Sequence, residues 1–171
     1  MNTSIALLGF IEILSAVSCG ALILFLTNRI MNRYAVSSWN LKSRNEAFNI
    51  IKGSVLLSVG YVLSGVVDPI LNSFRLLSET EMDNLVVFAK FLLYGGIYIA
   101  TSYFLTMVIV YGGVLLYTWM TPIDEQNAIT ENNRGVAWLM ASVVFVFVLM
   151  SKSGIMLLVE SLVPYPQLPP H

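Results

Sequence analysis

Glu12, Asp68 and Lys152 each interrupt a long run of apolar residues. Two carboxylates and an ammonium inside such runs can do one of two things. They can pass protons or cations along an intramembrane path, or form ion pairs that orient helices, with side chains reaching the outer interface. Little other chemistry is on offer. The one histidine, His171, ends a proline-containing tail, and Cys19 is the one cysteine. No Ser-His-Asp, Cys-His or histidine-metal arrangement can therefore be built in the apolar runs. No glycine-rich phosphate loop or nucleotide fingerprint is present. The expectation is a non-enzymatic protein with no metal and no cofactor.

The elements that carry the three charges are four apolar blocks, residues 5–27, 53–72, 85–119 and 135–159. A hydrocarbon core of about 30 Å takes roughly 20 helical residues, so each block is long enough to cross. The composition is 57% apolar and 11% charged with a net charge of −1, which favours lipid as the partner and leaves no basic surface for nucleic acid. The blocks lack strict two-residue alternation, which favours helices over an outer-membrane barrel. Residues 15–20, around Cys19, faintly resemble a lipoprotein processing site, but no basic residue precedes them and Glu12 interrupts the run, so the first block is expected to be a span. The expected fold is all-α: a single transmembrane domain over residues 1–171, built as a four-helix bundle. The tail at 164–171, rich in proline, is expected to be extended.

The first hinge carries Arg29, Arg33, Lys42, Arg44 and Lys52, whereas the second has Arg75 among Glu79, Glu81 and Asp83. The positive-inside rule places the first and third hinges in the cytoplasm and both termini outside it. Tyr117, Trp119 and Trp138 agree as interfacial anchors on that side. Ser78 with Glu81 reads as a capping box opening the third span, and Asn132 with Asn133 as a cap for the fourth. Counted from the cytoplasmic helix ends, Glu12, Asp68 and Lys152 each lie about 15 residues in, or roughly 22 Å, which places them in one layer of the outer third of the membrane. Small pairs such as Ser54/Ser58, Gly60/Ser64, Gly95/Gly96 and Gly112/Gly113 suit close helix packing more than a channel lining. Tyr94, Tyr98, Tyr103 and Tyr111 can line a cavity or bond neighbouring backbone.

The chain also reads as two parallel helix-hairpin repeats, since a shift of about 82 positions lays residues 45–53 on 127–135, each ending in a basic residue and a glycine. The stretch from Asp124 to Ala137 resembles the hinge of the YjfL-like bacterial inner-membrane proteins, a domain family of unknown function. The resemblance implies four spans, an internal duplication, a bacterial inner-membrane location and an envelope-stress setting, and it brings no reaction. In the first half the matching place holds Ile50-Ile51-Lys52-Gly53-Ser54, without the asparagine. Two functional classes follow. One is a homo-oligomer, or the membrane anchor of a larger complex, that docks partners through Arg29, Arg33, Lys42, Arg44, Glu131, Asn132, Asn133 and Arg134. The other is a small oligomeric ion or proton channel with Glu12 and Asp68 on its path.

Overall fold

A computed structural model describes residues 3–39, 41, 45–80, 84–122 and 124–162. All regular structure among them is helical: α1 (Thr3–Trp39), α2 (Glu46–Leu63), α3 (Val67–Thr80), α4 (Asn84–Met120), α5 (Glu125–Thr130) and α6 (Arg134–Leu162). Lys42, Arg44, Glu81 and the tail at 164–171 lie outside the described residues, as does the side chain of Glu12.

The expected blocks survive as helices with altered bounds, and α2 begins at Glu46 instead of residue 53. The first helix continues through residue 39, well beyond residue 27, because its last turns have something to pack on. Ala35 is buried, Trp39 sets its ring edge-on to Phe48 at 6.0 Å, and the Leu41 N–H returns to the Ala35 carbonyl at 3.1 Å. The second block is not one uninterrupted helix. At Ser64-Gly65-Val66 the bonds shorten to Gly65 N–H on Val62 O and Val66 N–H on Leu63 O, and α3 starts afresh at Val67. Pro69 sets this break, since a residue without an N–H is tolerated in a first turn and not in a helix interior. Asp68 therefore occupies the first turn of α3, where a carboxylate complements the helix dipole. Ser78 lies within α3, which runs to Thr80, so it does not cap α4.

α6 packs chiefly on α2 and α4, while α1 lies on α2 and α3 on α4. α2 and α6 run parallel. Glu46 pairs with Arg134 where both helices begin, Ser54 Oγ donates to the Ala141 carbonyl at 2.6 Å, and Lys152 Nζ donates to Ser64 Oγ at 3.4 Å. The two hydrogen-bonded partners are 87 and 88 positions apart, so the packed register is constant along both helices. Their interface is rich in valine, with Val55, Val59, Val62, Val144 and Val148 buried together with Tyr98 of α4. A second cluster at the hinge end joins Phe48, Ile51, Tyr117, Ile129 and Met140.

The outward surface is apolar, with Phe25, Leu57, Leu92, Phe104, Met150 and Leu157 all exposed. Three stretches, residues 46–73, 85–120 and 134–161, are long and apolar enough to cross a membrane, which points to a membrane protein. Of the small residues, Gly113 and Gly95 do pack closely: a Cβ on Gly113 would sit 3.5 Å from Val144 Cα, and one on Gly95 would sit 3.8 Å from Ile70. Gly60, Gly96 and Gly112 open onto free space instead.

The Gly113 spacing yields a graded expectation. Gly113→Ala adds a methyl at ordinary contact distance and should leave stability unchanged or raise it by up to about 1 kcal/mol. Gly113→Leu must part α4 from α6 and should cost about 1–3 kcal/mol in denaturant unfolding in detergent.

Candidate functional site

The most constrained polar cluster of the molecule is the hinge between α4 and α6, clasped onto the start of α2. After α4, Thr121 Oγ1 donates to the Tyr117 carbonyl at 2.8 Å and to the buried Glu125 carboxylate. Asp124 then caps α5, accepting from Asn127 N–H at 3.1 Å and from its side-chain amide at 2.7 Å. Six residues later α5 ends in a Schellman motif. Asn132 N–H bonds Ile129 O at 3.0 Å, Asn133 N–H bonds Ala128 O at 2.8 Å, and Asn132 takes φ 64°. That left-handed position accepts glycine or asparagine with least strain, and here the asparagine side chain has a second task.

Asn132 Oδ1 accepts the Ala47 N–H at 2.9 Å, thereby capping a helix 85 positions away. Asn45 caps the same helix from its own chain, accepting Phe48 N–H at 2.7 Å, and its amide donates to the carbonyls of Ile129 and Thr130. N–H groups at the start of α2 and carbonyls at the end of α5 are thus satisfied through the Asn45 and Asn132 side chains, which tie together dipole ends of opposite sign. Asn133 caps α6, its Oδ1 accepting from Gly135 at 3.0 Å and Val136 at 3.3 Å. The Arg134–Glu46 pair closes the rim. Both side chains are more than half exposed, so the pair itself contributes little.

Of the expected docking residues, Glu131, Asn132, Asn133 and Arg134 come together here, with Asn132 serving α2 and Asn133 serving α6. Arg29 and Arg33 lie apart from them, exposed on α1 beside Asn28 and Asn32, with Lys52 Nζ donating to Asn32 Oδ1 at 3.3 Å. Sequence reasoning passed over Asn45, Glu46 and Glu125 as site residues. For Asn45 the signal was there, an asparagine three residues before Phe48 at a helix start. For Glu46 and Arg134 no local signal exists, because the pair forms only when α2 and α6 pack.

Of the charges in the apolar runs, the side chains of Asp68 and Lys152 are described. Asp68 is exposed in the first turn of α3. Lys152 points its ammonium at neutral groups, Ser64 Oγ and the Tyr61 ring with its centroid at 4.0 Å, and makes no ion pair with Asp68. Of the tyrosines of α4, Tyr98 is buried, the Tyr103 hydroxyl accepts from Thr27 Oγ1 at 3.3 Å, and Tyr111 is exposed. The buried hydroxyls of Ser58, Tyr98 and Ser102 find no partner among the described residues, a costly arrangement in an apolar interior. Among the described residues no three His, Cys, Asp or Glu side chains gather as metal ligands.

A family model described as Domain of Unknown Function (DUF350) matches residues 91–163, which take in most of α4, the clasped hinge and α6. No curated protein and no solved structure matches the chain. The match covers somewhat under half of the sequence and carries no reaction with it.

The double role of Asn132 separates two variants. Asn132→Gly keeps the left-handed turn and loses only the bond to Ala47, so it should cost about 1 kcal/mol or less. Asn132→Ala loses the bond and forces an alanine into a left-handed conformation, adding about 1–2 kcal/mol. Equilibrium unfolding in mixed micelles checks the order.

Proposed function

We propose that this chain is a non-enzymatic, four-span protein of the bacterial inner membrane that works as a homo-oligomer or as the membrane anchor of a larger complex. The observation that carries this reading is the outward surface. It is apolar over most of the helical length and is notched at Gly60, Gly96 and Gly112, where a Cβ would meet nothing within 4 Å. Small residues on lipid-facing helices let a neighbouring backbone approach closely, and association in lipid depends on such packing more than on hydrophobicity.

The clasped hinge supports a docking role on the cytoplasmic side, because its backbone is held at both ends while Glu131 and Arg134 stay exposed. Arg29 and Arg33 add a basic surface suited to anionic lipid or an acidic partner. In this reading α1 and α2 form one hairpin, α4 and α6 the other, and both termini lie outside the cytoplasm. The parallel course of α2 and α6, each opened by an asparagine cap, supports that two-hairpin plan. An envelope-stress setting follows from the YjfL-like hinge alone.

A second reading is a small ion or proton channel with Glu12 and Asp68 on the path. The unpartnered hydroxyls of Ser58, Tyr98 and Ser102 favour it, since a polar route through a bundle needs such groups. One experiment separates the two. The purified protein is placed in liposomes beside Glu12→Gln and Gly112→Leu, and ion and proton flux is recorded with cross-linked oligomer size. The assembly role predicts no flux, a defined oligomer or co-purifying partner, and a smaller species for Gly112→Leu. Flux that disappears in Glu12→Gln at unchanged oligomer size makes it a channel. A monomer with neither flux nor partner overturns both.

A further inference from the structure

Lys152 lies in a groove of about 560 Å³ between α2 and α6, lined by Tyr61, Leu149, Met156, Leu157 and Glu160. Its position is built. A Cβ at Gly65 would lie 2.9 Å from Lys152 Cε and 3.1 Å from Met156 Sδ, so the lysine stem in this place runs close over the glycine and any larger residue there would push it aside. The ammonium then rests against Ser64 Oγ at 3.4 Å and over the Tyr61 ring at 4.0 Å. Tyr61 is itself steadied by Phe145, with ring centroids 6.3 Å apart. Both partners of the ammonium are neutral, and Glu160, although it lines the same groove, forms no ion pair with it. A fixed cation on an open groove with apolar walls lacks one complement, an anion attached to something apolar.

We propose that this groove binds a phospholipid, with its phosphate on Lys152. Leu149, a turn nearer the start of α6, flanks the glycerol and the beginning of an acyl chain, and Met156 and Leu157 lie on the headgroup side. Glu160 lies two turns further toward the end of α6, on the side where the rest of the headgroup extends. A carboxylate there attracts an ammonium and repels a second anion, so the groove selects an aminophospholipid such as phosphatidylethanolamine over phosphatidylglycerol. The inference rests on the membrane reading and not on the assembly role.

The test is native mass spectrometry of the full chain, delipidated in detergent and titrated with phosphatidylethanolamine or phosphatidylglycerol. One phosphatidylethanolamine per chain is expected. Lys152→Gln should bind it about tenfold more weakly, the effect of losing one charge-assisted hydrogen bond, while Lys152→Arg retains it. Glu160→Gln leaves the Lys152 contacts in place and should abolish the preference for phosphatidylethanolamine, which keeps the proposal testable if Lys152→Gln does not fold. Equal lipid occupancy in the wild type and a folded Lys152→Gln overturns the proposal, as does a headgroup preference unmoved by Glu160→Gln. Displacement of the lipid by millimolar inorganic phosphate also overturns it, in favour of a free-anion site. A monomer that keeps the lipid defeats the assembly role alone, and an oligomer that binds none defeats this site alone.

Discussion

Helix ends are the constraint on which the rest of this structure depends. A helix satisfies its own backbone except for four N–H groups at its start and four carbonyls at its end. The problem is sharpened because α2 and α6 run parallel, bringing two partly positive N-termini side by side. The chain answers with side-chain oxygens. Asn45 and Asn132 cap α2, Asn133 caps α6, and Glu46 adds a negative charge to the first turn of α2. The short α5 supplies the remaining complement by turning its C-terminal carbonyls toward the Asn45 amide. With the hinge fixed in this way, the register of the valine interface between α2 and α6 follows.

A second break in the chain shows the same economy at the other end of α2. Pro69 cannot continue a helix from within, so the chain tightens through Ser64-Gly65-Val66 and begins again. Two residues of that turn then meet Lys152 across the interface: its stem runs over the glycine, and the serine accepts from its ammonium. Asp68, freed from pairing with Lys152, sits where a carboxylate suits a helix start. Charges that look anomalous in an apolar run thus have local reasons for their places.

The functional reading rests on surfaces more than on any reactive group. The buried groups of the hinge hold helices together, whereas the exposed apolar faces, the outward glycines and the groove beside Lys152 present surface to lipid or to other chains. The DUF350 match lies over the hinge and the two long helices joined by it.

Sequence alone determined the helical class, the long apolar elements and the asparagine cap on α6, because hydropathy and capping are local properties read over a few turns. It also marked residues 131–134 as a distinct hinge. It did not show the break inside the second block, because the effect of Pro69 extends back to residue 64, nor the packed register, which depends on which valines interlock. Only the tertiary structure decided that Asn132 caps α2 while Asn133 caps α6, that Glu46 meets Arg134, and that Lys152 turns to Ser64 and Tyr61. Those partners lie 85 or more positions apart, and nothing in a local pattern says which distant helix will bring its free N–H groups, or its open groove, to a given side chain.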